Sequence, residues 1–380
     1  MMLQRNLLIL LFLVLMISCN TGKLDSEEKT KQFTFIESEI SNPEIAQGFK
    51  VKEVDQIKMI EIFGSQDTIH ASERFYLIKT GQSKLAPNDG KIIETPVNRI
   101  VCLSASQLSY LDALDDIPKL LGVSNAEYVV SQEFKGLVES GQIIETGLGE
   151  HFKIETLINL APDIVMVAPQ KGQSFQVLEN AGLTVLPIGD YLESHPLGRA
   201  EWIKLFGLLT GKEKKALQIF DSIKKEYEQL RLLTVNIENR PSVITGKQYG
   251  GFWNLAGGKS YEAQFLADAG ARYLWADDPS AGGLMLDFET VYHRGFEADY
   301  WRFLVYSPDE FTYTMLEAED SRYVDFKAYR EKQIITCNTL KKPFFQKGFL
   351  KPQVILADYI YIFHPSLLPD HKPVYYDLMK

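Results

Sequence analysis

Two glutamates and a set of aromatic side chains are the residues whose types and spacing could do chemistry in this sequence, and that chemistry is recognition. Residues 153–169 read KIETLINLAPDIVMVAP, and residues 286–306 read LDFETVYHRGFEADYWRFLVY. In each, a glutamate (Glu155, Glu289) opens a helix-length stretch, an Ala and an Asp follow (Asp163, Asp299), and a strand-like run comes next. A lone acid at a helix start is ordinarily solvated, favoured by the helix dipole by at most about 1 kcal/mol. Equivalent placement in two like-built halves adds a second use: one exposed acid per half can dock a symmetric partner that carries basic pockets.

The aromatics fall after predicted strands. Tyr128 follows the second strand of the first half, Gln170 and Lys171 the third, and Tyr191 the fourth. In the second half, Tyr249, Phe252 and Trp253 sit in QYGGFW after the strand SVIT, and Trp275 follows RYL. In open parallel sheets the carboxyl ends of the strands face the ligand crevice. Aromatic rings there offer broad, stiff contact area, with a polar tip on Tyr and Trp for orientation. The plainer use of any one of them is core or loop packing.

Motifs for bond-making chemistry fail inspection. Gly258-Lys259-Ser260 suggests a phosphate loop, but Trp253 stands where that loop needs its first glycine, and an indole would block backbone approach to phosphate. Neither G-x-S-x-G nor H-E-x-x-H occurs. The six histidines are scattered. His151 and His293, near the two repeated segments, leave open a zinc, manganese or iron site assembled across the halves, with polar surface loops as the blander reading. No catalytic residue, resident metal or cofactor is expected.

The elements that must position these residues alternate. From Arg99, RIVCL, KLLGV, IVMVA and TVLPI read as strands, separated by helices opened by Ser104 or ended by Gly182. That order favours right-handed βαβ units and a mainly parallel sheet. Residues 212–234 carry the longest helical pattern, with Ala216, Ile219, Phe220, Ile223, Tyr227 and Leu230 on one face and no Gly or Pro. About twenty residues of helix run about 30 Å, enough to cross between two lobes. A second α/β series starts after Arg240-Pro241. Residues 33–97 alternate short β-like runs with polar turns.

With 380 residues, two domains with separate cores are expected. Arg5 and the apolar run at 7–17 form a targeting segment too short to span a bilayer comfortably, and it runs into Ser18-Cys19. A small residue before Cys resembles a bacterial lipobox, with Met16 where Leu is usual; Cys19 is then the lipidated residue, and the alternative is a plain secretory signal. The boundaries read as 1–18 signal, 19–32 tether, 33–97 β region joined to the first lobe, 98–194 first lobe, 195–239 linking helices and 240–380 second lobe. Loss of Arg5 makes a chain of net charge −10 more acidic still, a poor match for nucleic acid. Cys102 and Cys337, far apart in apolar runs, read as buried free thiols.

In their order and spacing, VNRIVCLSASQLSYLDAL, LLGVSNAEYV, GLGEHFKIETLINLAPDIVMVAP, the 212–234 helix, WNLAGGKSYEAQFLADAGARYLW and LDFETVYHRGFEADYW resemble the class III, helical-backbone substrate-binding proteins of ABC importers. The resemblance covers roughly residues 97–380. It implies two Rossmann-like lobes with mainly parallel sheets joined by one long helix, and no enzymatic activity. It further implies a lipid-anchored, extracytoplasmic monomer that captures an iron-siderophore-type chelate between the lobes, with cobalamin or haem as alternatives. Glu155 and Glu289 match the acids that such proteins present to an ABC permease dimer with its ATPase. A bare metal-ion carrier is the competing class. An enzyme on a nitrogenase-like scaffold would need cluster-binding cysteines that the chain lacks.

Overall fold

The structure is a computed structural model that describes residues 34–38, 41–54, 57–64, 67–82, 87–128, 131–147, 151–170 and 173–380, with the side chains of 67–71, 128 and 133 outside the description. The signal and the whole tether, Cys19 included, therefore lie outside the described residues. None of the described helices is long and apolar enough to cross a membrane.

An N-terminal sheet comes first: β1 (Ile36–Glu37), β2 (Phe49–Val54), β3 (Ile57–Gly64), β4 (Asp67–Lys79) and β5 (Lys91–Thr95), in that order. Its neighbours are antiparallel until β5, which lies parallel to β4. Phe49, Val51, Ile60, Ile62, Phe75 and Leu77 join the main core, where Phe49 meets Trp202 with ring centroids 4.9 Å apart. Two buried carboxylates secure the segment leading into β2. Glu201 accepts the backbone N–H groups of Glu44, Ile45 and Ala46 at 2.7–2.8 Å. Glu193 accepts those of Gln47 and Gly48 at 2.9 Å and the Trp202 indole N–H at 2.8 Å. Burial pushes the Glu193 carboxyl up, against the pull of those hydrogen bonds. Charge-assisted bonds of this kind are stronger than neutral ones and fix backbone that no ladder holds.

The second sheet is wholly parallel, in the order β10 (Val185–Pro187), β9 (Ile164–Val167), β6 (Ile100–Cys102), β7 (Leu120–Val123), β8 (Ile144–Glu145). Its strands β6, β9 and β10 are continuous apolar, buried runs because both faces are covered. Ile100, Cys102, Ile164 and Met166 face the main core. Val101, Val165, Val167 and Val185 face a smaller cluster closed by Leu157 and Leu178 from helices Ile154–Leu160 and Gln176–Asn180.

The second lobe is built on β14 (Arg272–Tyr273), β11 (Ser242–Thr245), β16 (Tyr300–Val305), β17 (Ile334–Asn338) and β18 (Asp377–Leu378), parallel except for the last pair. A small antiparallel sheet, β12 (Lys247–Tyr249), β13 (Phe252–Ala256) and β15 (Gly283–Leu286), lies beside it in sequence and space. Between the lobes runs helix Glu213–Leu232, which buries Ala216, Phe220, Ile223 and Tyr227. Gly207 in the preceding helix Ile203–Thr210 leaves no room for a side chain against Ala216, so the two helices pack close. At the other end, the Tyr227 hydroxyl donates to Asp268 of the second lobe at 2.6 Å. The two lobes with mainly parallel sheets and one long joining helix are as the resemblance implies, but both lobes and the helix feed one continuous core, not the separate cores expected from length. Cys102 and Cys337 are free and buried, and burial pushes both thiols up.

Candidate functional site

The strand ends of both lobes meet around a cavity of about 410 Å3. After β6, Ser104 opens helix Ala105–Ala113, its N–H donating to Gln107 Oε1 at 3.3 Å, and this turn brings Ser104 and Ser106 to the wall. Gln170 arrives on the loop after β9, and Tyr191 on the turn after β10. The Tyr191 hydroxyl donates to the Pro169 carbonyl, tying those two loops together. From the second lobe come Tyr306 and Thr339, directly after β16 and β17. Tyr261 comes from the start of helix Tyr261–Asp268, where Ser260 Oγ caps Ala263 N–H at 3.2 Å. Phe345 and Phe349 close one end.

Arg199 gives the cavity its charge. It lies on helix Pro196–Glu201, is 4% exposed, and donates from Nε to Asp190 Oδ2 at 3.0 Å. Asp190 is itself fully buried and also within 3.4 Å of the Ser106 and Tyr110 hydroxyls. The guanidinium lies 3.3 Å from the centroid of Phe349 and 5.0 Å from that of Tyr261, both in the second lobe. Such stacking leaves the fork free to aim its edge. Its two terminal nitrogens have no protein partner among the described residues and are not sealed from solvent, so they open on the cavity. Burial opposes the charge, and Asp190 with the nearby phenols outweighs it, so Arg199 stays protonated. Burial pushes the Tyr261 phenol up to about 12, which leaves its hydroxyl neutral. The described lining is therefore one cation and neutral aromatics, hydroxyls and amide, with no carboxylate, imidazole or thiol. Such a site suits an anionic ligand with planar or apolar surface.

Tyr191 and Tyr261 also line a second, larger cavity of about 1170 Å3, walled by the small sheet and by Lys247, Glu262 and Arg302. The two cavities share these phenols and form one cleft.

The other candidates from sequence are spread widely. Tyr249 is on the wall of the larger cavity and Phe252 is exposed beside it. Trp253 corrects the expectation of a cleft residue: it is wholly buried, donates to the Thr245 carbonyl at 2.9 Å and packs on Trp301. QYGGFW is a hairpin and not an irregular loop, so alternate side chains take opposite faces, and Trp253 takes the inner one. Trp275 is likewise core, 4% exposed, with Arg294 over its outer ring face at 5.2 Å. Lys171 and the Tyr128 side chain lie outside the described residues. Gly257 and Gly258, suggestive of a phosphate loop, are glycines because the carbonyls of Ser280, Gly282 and Trp275 press against them.

Glu155 and Glu289 are exposed in the first turns of helices Ile154–Leu160 and Phe288–Gly295, away from both cavities. Glu289 has one distant ion pair, to Arg322 at 3.6 Å. The repeated aspartates have structural work. Asp163 accepts the N–H groups of Asn98 and Arg99 at 2.7 and 3.0 Å, and Asp299 accepts that of Ser242 at 2.7 Å, so each ties the start of one strand to its neighbour. His151 and His293 are exposed, and the described residues hold no group of three metal-ligating side chains.

Sequence reading missed Arg199, Tyr261, Tyr306, Phe345 and Phe349. The strand-end rule that selected Tyr191 also reaches Tyr306, which directly follows β16. Arg199 carried no signal, since an arginine in PLGRAEW reads as a surface cation.

A sequence model of the family described as Periplasmic binding protein matches residues 100–339. An uncharacterized lipoprotein of Methanocaldococcus jannaschii is 27% identical over 320 residues, covering 80% of this chain and 80% of its own. Among solved structures, a periplasmic heme binding protein from Pseudomonas aeruginosa superposes with a TM-score of 0.57 at 18% identity, over 75% of this chain and 98% of its own. An ABC-type Fe3+-hydroxamate transport system protein from Saccharomonospora viridis gives a TM-score of 0.55 at 20% identity, over 71% and 94%. At these identities the solved structures speak for the fold.

Proposed function

The chain belongs to the periplasmic binding protein family, and on that premise we propose that it is the lipid-anchored receptor of an ABC importer, binding an anionic ferric-siderophore-type chelate between its lobes. The observation that carries this reading is Arg199: a buried, protonated guanidinium with two unengaged nitrogens on a cavity walled by tyrosine and phenylalanine. A chelate with carboxylate, catecholate or hydroxamate oxygens matches that edge, and its organic frame matches the rings. A bare metal cation fits less well, because the lining beside Arg199 offers no carboxylate, imidazole or thiol, and Glu262 on the adjoining wall is held by Arg302. In this reading Cys19 carries the lipid, as the lipoprotein relative supports, and Glu155 and Glu289 dock one permease subunit each. The protein makes and breaks no bond; it concentrates the ligand and hands it on as a monomer.

Thermal-shift and fluorescence titration with ferric catecholate, hydroxamate and citrate chelates, haem, cobalamin, and zinc, manganese and ferric salts tests the reading. An anionic ferric chelate is expected to bind, and Arg199→Gln to weaken it about 10- to 100-fold, with Arg199→Lys intermediate. Binding of free metal ions alone, or an anionic chelate indifferent to both folded variants, overturns it.

A further inference from the structure

The small sheet β12–β13–β15 has one face that lies outside the core except at Ala256. Register pairs Tyr249 with Phe252 and Asn254 with Met285, and side chains alternate along each strand, so these four share a face while Trp253 and Leu255 point inward. Lys247, Asn254 and Ala256 of that face already wall the larger cavity, as does Tyr249. Tyr249, Phe252 and Met285 continue it outward and are 83%, 54% and 72% exposed. Gly250 and Gly251, at φ +60° and +88°, make the two-residue turn that sets the Tyr249 and Phe252 rings side by side. An apolar cluster on a rigid ladder, continuous with a cavity wall, marks an interaction site more than a scatter of surface apolar residues does.

The charges of the larger cavity are spent within the protein. Lys247 is held by Glu319 at 2.5–2.6 Å, and Arg302 by Glu262 at 2.8 Å. The inner cavity therefore presents the two guanidinium nitrogens that Asp190 leaves unengaged, and the outer one a wall whose charges are paired, with Tyr191 and Tyr261 common to both. We propose that the outer face of β12–β13–β15 is a second subsite, holding an apolar or aromatic arm of a ligand whose anionic head sits at Arg199. The inference rests on the chelate-binding reading above and narrows it to amphiphilic chelates, those that join an anionic metal-binding head to an extended apolar arm.

Two probes separate the subsites: the trianionic ferric complex of a tris-catecholamide, and the same complex bearing one octyl chain. Both are titrated against the wild-type chain and the double variant Phe252→Ser, Met285→Ser, whose exposed side chains belong to neither the core nor the described cavity linings. The wild type is expected to prefer the octyl complex by roughly tenfold or more, and the double variant to lose most of that preference while binding the plain complex unchanged. Equal wild-type affinity for the two probes, or a folded variant that loses both equally, overturns the arm subsite and leaves the head site standing. If neither complex binds the wild type, the chelate reading itself fails and the inference falls with it.

Discussion

Arg199 and Glu201 are two residues apart on one short helix, and the fold gives their buried charges different work. Glu201 is engaged by three backbone N–H groups and by Lys204 at 2.7 Å, so it is a clamp for the chain entering β2. Arg199 spends only Nε on Asp190 and keeps its outer nitrogens for the cavity. The sequence shows two charges in one segment; only their partners tell a structural ion from one held ready for a ligand. The exposed acids follow a third pattern. Glu289 faces solvent with a single pair at 3.6 Å, and exposed pairs of that kind contribute little. Glu155→Ala and Glu289→Ala are expected to leave ligand affinity unchanged and to weaken permease binding, each by about 1.5–3 kcal/mol if the contact is desolvated. Pull-down or reconstituted uptake checks this, and an equal fall in ligand affinity counts against it.

At the scale of elements, helix Glu213–Leu232 and the small sheet show opposite degrees of legibility. The helix is written in its own spacing: Ala216, Phe220, Ile223 and Tyr227 repeat at three and four residues and are the ones buried. Phe220 is fully buried in the core, and Phe220→Ala is expected to destabilise the protein by about 3–5 kcal/mol in denaturant unfolding. The sheet is not written so plainly. QYGGFW has three aromatics around two glycines, and the sequence alone does not say whether it is a loop with all rings outward or a hairpin that sorts them. Pairing with β15, thirty residues on, settles the register and sends Trp253 inward and Phe252 outward. The glutamate-to-aspartate repeat was visible throughout, yet its two acids separate in use, one exposed on a helix and one bound to a strand start.

At the scale of the whole molecule, one helix of about 30 Å packed at both ends joins the lobes. Interface contacts such as Arg199 on Phe349 and Ser131 N–H on Gln346 at 2.9 Å already bridge the cleft. A stiff single crossover predicts lobe rotation of only a few degrees on binding, so small-angle scattering is expected to give nearly equal radii of gyration with and without ligand; a large compaction would refute it. The sequence by itself determined the alternation of strands and helices, the two-lobed class and the long connecting helix. These follow from local periodicity, turn residues and capping, which neighbouring residues encode. The tertiary structure alone decided which side chains share the cleft. Tyr191, Arg199, Tyr261, Tyr306 and Phe349 are spread over more than 150 residues of the chain, and no local pattern records a meeting that depends on how two sheets are set against one helix.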